Sequence, residues 1–393
     1  MSGVALSNFL DFAEGTTSTY INGPMGLVME CVKNTYWFGR LIQGQRSKKK
    51  MISGGANIRQ SMVFKDNGSL ETYLPGATHE FQNPQRLKKV QVEWRYTMAH
   101  MSWVEQEILN NEVIAYGDEE ARFCEFVNIR NEKEAICWAN IWNGLENLLW
   151  QVPFPADMES ADGTEPNSIP MFINEDTNGL FNPRTSAAFT TKQGLSPTDT
   201  ALDSKYTPQQ VTYGSAALNN ADNIVSRLDD LAELMEFEQP PTMTQYWEDP
   251  RYNKQMIVTT RRGRAIYKQL LRAGQDHFVA GPQDPAYPDP QYYGIPVTRA
   301  STLEGLALYN SGSSTLADEF NASNKGPRYY AINAEYLFPV FHARRYFYKY
   351  EITKHHNVPD TWVLPIAVWY NLINTSAQRQ GILSPTGGLV YQS

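Results

Sequence analysis

The sequence predicts an α+β fold, and three stretches carry that expectation. Residues 118–149 follow a helical period without interruption. Residues 55–95 alternate as a two-limbed extended ribbon around a polar tip. Residues 336–383 return to strand texture after a mixed middle. A long helix, a ribbon and returning strands, segregated along the chain, are the pattern of an α+β domain.

The amino-terminal stretch, 1–54, is Gly-punctuated and reads as an arm, with a short helix expected around Met25 to Leu41. In the ribbon, Ile58, Met62 and Phe64 precede Asn67-Gly68, a dipeptide suited to a tight turn with positive φ. Leu70, Thr72 and Leu74 alternate with Glu71 and Tyr73 until Pro75-Gly76. Leu87, Val90, Val92 and Trp94 form the returning limb. Between Ser69 and Val92 each limb reaches roughly 30 Å at about 3.3 Å per residue. A two-stranded ribbon is marginal alone in water and needs another surface.

The helix opens on Asp118-Glu119-Glu120, acids that the helix dipole favours in a first turn. Phe123, Phe126, Val127, Arg130, Glu134, Trp138, Ile141, Trp142, Leu145, Leu148 and Leu149 follow, the apolar members largely at three and four spacing, and no proline intervenes before Pro153. Its 32 residues would span about 48 Å, against a mean helix of about 11–12 residues. Gly144 inside it is expected to mark a bend or a close contact. Pro153, Pro155, Gly163, Pro166 and Pro170 then mark a boundary. A second helix is expected over 220–236, with Ile224, Leu228, Leu231, Leu234 and Met235 on one face. Met256 to Thr260 reads as a buried strand, and Arg262 to Arg272 as a helix stopped by Gly274. Tyr346 to Tyr350 and Trp362 to Tyr370 both read as strands.

The chain has 393 residues, enough for two or three structural units. With 41% hydrophobic and 19% charged residues it reads as neither disordered nor membrane-spanning. Its 22 Tyr and 17 Phe suit an aromatic-rich core, or else broad contacts between subunits. A formal charge of −8 argues against a chain built to grip phosphates. The one dense basic run, Arg46 to Lys50, reads as a solvated loop, with an arm toward nucleic acid or an acidic partner as the alternative. Cys31, Cys124 and Cys137 lack metal-ligand spacing, and Cys124 and Cys137 lie roughly 20 Å apart along one helix, so buried reduced thiols are expected. No secretory leader pattern and no membrane-length apolar run occurs, and the chain is expected to be neither secreted nor embedded in a membrane.

The order of parts resembles the Hong Kong 97 fold family, the major capsid proteins of tailed double-stranded DNA bacteriophages. Asn67-Gly68-Ser69 with Tyr73 and Gly76 is similar to that family's entry into its extended loop. Trp94 and the run from Val104 to Asn111 sit where the family approaches its spine helix. Ile257 to Thr260 with Tyr267, Leu270 and Leu271 resembles an axial-domain strand and helix. Ile332-Asn333, Tyr336-Leu337 and Gln380-Gly381-Ile382-Leu383 resemble the family's later segments, and the resemblance covers about residues 50–385. Glu112 departs from it, standing where a glycine is expected, and the segment before Asp118 is longer than usual.

The resemblance implies an N-terminal arm (1–54), an extended loop (55–95) and a peripheral domain (96–155) with its spine helix at 118–149. An axial domain (156–335) follows, then returning peripheral strands with the carboxy terminus (336–393). It implies self-assembly through hexamers and pentamers into an icosahedral head shell, in the virion and built in the host cytoplasm. Packaged DNA would be contacted non-specifically. Fewer than 60 residues precede the loop, so the expectation is a separate scaffolding protein or none, beside a portal and a decoration protein. Subunit-interface candidates are Tyr73, Leu74 and Phe81 for apolar contact, and Arg86, Lys88 and Lys89 facing acids such as Asp118, Glu119 and Glu120.

No catalytic, cofactor or metal site is expected. GxGxxG, Walker A and HExxH are missing from the sequence, and Ser47 with Lys50 fits SxxK without its companion motifs. His342, His355 and His356 lack ligand spacing and read as surface or interface residues. Asp229 and Asp230 point apart on a helix. Lys65, Lys88 and Lys89 near the loop do not by themselves indicate the Lys–Asn cross-link some members form. Two rival readings are an encapsulin-like nanocompartment shell and, in another class, a carbohydrate-active enzyme. The latter would need paired acids on converging strands.

Overall fold

A computed structural model of the chain describes residues 37–43, 51–63, 87–105, 129–154, 163–175, 180, 189–199, 202, 205–214, 223–235, 255–274, 290–292, 295–305, 327–356 and 358–385. In chain order these form α1 (Trp37–Gln43), β1 (Met51–Ile52), β2 (Asn57–Val63), β3 (Leu87–Glu93), β4 (Arg95–Val104), α2 (Ile129–Trp150), α3 (Ile169–Phe172) and β5 (Gln209–Tyr213). There follow α4 (Ile224–Leu234), β6 (Gln255–Thr259), α5 (Arg261–Gly274), β7 (Gln291–Tyr292), β8 (Ile295–Arg299), α6 (Ser301–Gly305) and β9 (Tyr329–Asn333). The chain closes with β10 (Leu337–His342), β11 (Tyr348–Lys349), β12 (Thr353–His355), β13 (Val358–Asn374) and β14 (Gly381–Pro385). This is a mixed α+β fold. Thr97–Gly144 with Arg345–Val368 falls in one compact unit, and Thr35–Tyr96, Leu145–Arg344 and Trp369–Ser393 in a second, larger one. Helix α2 and strands β4 and β13 each carry the chain from one unit into the other.

The larger unit is organised by a six-stranded sheet in the order β5-β14-β9-β6-β8-β7. Met256, Ile257, Val258 and Thr259 are all buried, as befits a central strand covered on both faces. Helices α4 and α5 supply Ile224, Leu228, Leu231, Tyr267 and Leu270 to the core over this sheet. Helix α4 starts where Asn223 Oδ1 accepts the Ser226 N–H at 2.8 Å, an N-cap bond. Leu234 departs from the expected apolar face and is 54% exposed. At about 100° per residue it lies well off the stripe of Ile224, Leu228 and Leu231, which Met235 completes as expected.

The same unit holds β1, β10 and the last residues of β13, with β10 antiparallel to β13 from Leu337↔Asn374 to Phe341↔Tyr370. Phe38 of α1 meets Tyr370 and Phe341 edge-on, at 5.1 Å and 6.0 Å between centroids. Buried Glu146 ties α1 to the end of α2: it accepts the Phe38 N–H and the Trp150 indole N–H, both at 3.0 Å.

In the smaller unit, β11, β12 and the first half of β13 form antiparallel pairs. Trp142 of α2 stacks on Phe347 at 5.0 Å, Glu134 pairs with Lys349, and Cys137 is a buried free thiol.

Several expectations need correction. Strand β14 does not return to the sheet of β10 and β13. It lies between β5 and β9 in the other sheet, because Gly381 to Ser384 are buried on both faces and need two flanking strands. Tyr346 to Tyr350 is not one strand: a 3-10 turn spans Ala343–Arg345, Phe347 takes φ 45°, and only Tyr348–Lys349 pairs. Nothing lies within 4 Å of where a Cβ on Gly144 would stand, so no close contact requires that glycine. Helix α2 ends at Trp150, one residue beyond expectation, before Pro153. Its expected first part at 118–128, the Asn67-Gly68 turn, Cys31, Cys124 and most of the 25–41 helix lie outside the described residues.

Candidate assembly surfaces

The root of the ribbon is the best-defined candidate surface. Strands β2 and β3 pair from Asn57↔Glu93 to Val63↔Leu87. Ile58, Val90 and Val92 turn inward onto Phe338, Val340, Ile373 and Ala377. The root therefore rests its underside on another surface of its own chain, as a two-stranded ribbon requires. Arg59 and Lys89 face solvent.

A tight turn, Lys192-Gln193-Gly194-Leu195, lies against the ribbon edge. Gln193 and Gly194 take φ 54° and 75°, the positive-φ pair of a mirror-image hairpin turn, and Lys192 and Leu195 exchange backbone bonds across it. The Gln91 N–H donates to Gln193 O at 3.0 Å, and Lys88 Nζ meets Asp199 Oδ2 at 3.2 Å. Tyr206, buried beneath, offers its hydroxyl to Lys192 O and Gln193 Oε1, each 3.2 Å away. Burial pushes the Tyr206 hydroxyl's pKa far up, so it remains a donor.

Lys88 is thus engaged with Asp199 of its own chain. Their separation of 111 residues left no sequence signal. Of the other candidates, Lys89 is exposed, while Tyr73, Leu74, Phe81, Arg86, Asp118, Glu119 and Glu120 lie outside the described residues.

Aromatic side chains form a second surface. In the larger unit, His342 is half-buried between the indoles of Trp94 at 5.4 Å and Trp369 at 5.3 Å, and Trp369 meets the 62% exposed Tyr96 at 4.6 Å. In the smaller unit, Met98, His100 and Ser102 of β4 line a shallow depression with Val358, Thr361 and Pro365. Arg345 caps the rings of Tyr348 and Tyr350 at 4.7 Å and 4.9 Å, and Lys354 lies 4.9 Å from the Trp362 ring. Trp, Tyr, Met and Arg are the side chains enriched at protein interfaces.

The core of the larger unit is closed by a reciprocal amide lock. Gln380 donates from Nε2 to Asn333 O at 2.9 Å and accepts the Asn333 N–H at 3.0 Å, while its own carbonyl accepts from Gln209 N at 2.9 Å. Buried Glu175 pairs with Arg328 nearby. Tyr213 donates its hydroxyl to Pro327 O at 2.7 Å, and Tyr329 donates to Gly263 O at 2.8 Å. Burial raises the pKa of both phenols. Among the described residues no group of three His, Cys, Asp or Glu is placed to hold a metal ion. No described helix is long and apolar enough to cross a membrane.

No protein-family model matches the sequence, and no curated protein is significantly similar to it. Solved structures are. The capsid asymmetric unit of cyanophage A-1(L) superposes with a TM-score of 0.57 at 10% identity, over 93% of this chain and 96% of that one. The capsid of a native GTA particle gives 0.51 at 10% identity, over 93% and 94%, and the capsid of cyanophage P-SCSP1u gives 0.50 at 11%, over 93% and 92%. The fold is that of a phage-type capsid subunit. Within this capsid fold, two of the segments that carried the resemblance meet directly: Asn333 and Gln380, 47 residues apart, are the two halves of the amide lock.

Proposed function

We propose that this chain is the major head-shell subunit of a tailed bacteriophage, of the Hong Kong 97 type, self-assembling into an icosahedral shell around double-stranded DNA. The observation that carries the proposal is the capsid fold shared over 93% of this chain and 96% of the cyanophage A-1(L) chain. At that coverage the likeness is to a whole shell subunit, not to a common motif. The paired strands at 57–63 and 87–93 fit the root of an extended loop, and the long helix at 129–150 fits a spine. The sheet of β5 to β9 with β14 fits an axial domain.

In this reading residues 64–86 reach across a neighbouring copy, with Tyr73, Leu74 and Phe81 in apolar contact and Arg86 and Lys89 near acids such as Asp118, Glu119 and Glu120. Head-to-tail contacts between copies close into hexamers and pentamers. Each contact is modest, and the lattice is stable because every subunit makes several at once. A separate scaffolding protein, a portal and a decoration protein are the partners this scheme accommodates, with assembly in the host cytoplasm and residence in the virion.

The test is expression of the chain, sedimentation, and electron microscopy of the fast fraction. Closed shells of uniform size are expected, with nucleic acid inside virion-derived particles. A species that remains monomeric or dimeric under all conditions would overturn the proposal. Protein cargo in place of DNA would point to a nanocompartment shell. Deleting Gly76 to Gln85 should leave folded subunits that form no shells.

A further inference from the structure

The ribbon root is attached to its subunit in two physically different ways. Beneath, Ile58, Val90 and Val92 rest on an apolar surface, an attraction without direction that tolerates small rotations. At the edge, the Gln91 N–H bond to Gln193 O and the Lys88–Asp199 pair are directional and tolerate little.

The edge partner is itself rigid. The turn is closed by Lys192 N to Leu195 O at 2.7 Å and Leu195 N to Lys192 O at 3.0 Å, and it is propped from below by the buried Tyr206 hydroxyl. A Cβ on Gly194 would stand 3.8 Å from both the Cβ and the carbonyl oxygen of Gln91, ordinary van der Waals contact, so the turn lies directly against the ribbon. Every one of these residues belongs to the larger unit, so the device is complete within it.

We propose that the Lys192–Leu195 turn with Asp199 is a stop that sets the angle at which the ribbon leaves its subunit, and through it the curvature of the assembled shell. This rests on the shell reading above: a small rotation at the root displaces everything residues 64–86 reach, so the angle between neighbouring copies follows from it. The apolar underside holds the ribbon on. The polar edge decides where it points.

The experiment uses the full chain with Lys88→Ala, Asp199→Ala, Tyr206→Phe and the exchange Lys88→Asp with Asp199→Lys. Surface ion pairs add little to stability, so the Lys88 and Asp199 variants should melt like the parent. Two readouts are taken: the diameter distribution of assembled particles by cryo-electron microscopy, and amide exchange at Gln91. A broadened distribution is expected for each single variant, together with Gln91 exchange faster by about tenfold in Tyr206→Phe. The charge exchange should restore one size. Particles of parental diameter from all three single variants, with Gln91 protection unchanged, would overturn the stop. If the parent chain forms no particles, the shell reading falls, and unchanged Gln91 exchange in Tyr206→Phe then counts separately against the stop.

Discussion

Gly263 offers the sharpest test of how closely the larger unit is packed. It is the third residue of α5, its N–H donates to Thr260 Oγ1 at 3.3 Å, and its carbonyl accepts the Tyr329 hydroxyl at 2.8 Å. A Cβ at this position would fall far inside contact distance of Thr259 Oγ1, 3.2 Å from Thr259 Cβ and 2.9 Å from Pro327 Cβ. Neither neighbour can step aside cheaply: Thr259 is fully buried and donates to Arg328 O at 2.7 Å, and Pro327 is a ring. On helix propensity alone, Gly263→Ala should stabilise by up to ~1 kcal/mol. Overpacking costs about 1–3 kcal/mol, and displacing the Thr259 hydroxyl forfeits a hydrogen bond of about 1 kcal/mol. The net expectation is destabilisation of about 1–3 kcal/mol. Urea unfolding of dissociated subunits measures it as a lower midpoint at unchanged slope. In a Thr259→Ala background the hydroxyl is gone, and the cost of Gly263→Ala should shrink by about 1–2 kcal/mol in a double-mutant cycle. A stabilised Gly263→Ala variant, or strict additivity with Thr259→Ala, would refute the packing argument.

Three further expectations follow from buried polar groups. Gln380→Leu leaves the Asn333 N–H and carbonyl without their amide partner, and should lower stability by about 2–4 kcal/mol in the same urea assay. Burial raises the pKa of the Tyr206, Tyr213 and Tyr329 phenols above the ordinary tyrosine value. The unfolded chain therefore ionises first, so their contribution is intact below about pH 10 and is lost as pH rises beyond it. A thermal-melting series should show an alkaline fall in midpoint that Tyr206→Phe reduces. Cys137, whose thiol pKa is raised by burial and then by Glu134, should react slowly with alkylating reagents at neutral pH in the folded subunit and quickly in denaturant.

Legibility followed the range of the interaction. The strand Gln255–Thr259 and the helix Arg261–Gly274 were readable almost to the residue, because a run of buried apolar residues and a glycine stop are local signals. The aromatic run Tyr346 to Tyr350 misled, because strand propensity measures fit to a pleated surface. Here Arg345 and the two indoles of α2 took those rings into a turn. Leu234 lies off the buried stripe that its neighbour Met235 completes, because adjacent residues on a helix are about 100° apart. Lys88 was read as a charge awaiting a neighbour, yet its partner is Asp199 in the same chain, which no local pattern could reveal. Gln380-Gly381 was noticed only as a resemblance. Its physical reason is that Gln380 locks onto Asn333, while a Cβ on Gly381 would stand 2.8 Å from Leu231 Cδ1 and against Met235, so those side chains would have to shift.

By itself the sequence determined most of the element types, the long helix ending before Pro153, and the alternation that makes a ribbon. Each is written in periods of two or 3.6 residues that a single segment carries. Only the tertiary structure decided that β14 joins β5 and β9, that a positive-φ turn meets the ribbon edge, and that His342 lies between two indoles. Those facts depend on which distant surfaces can be dry together with every buried polar group paired, and no segment carries that information alone.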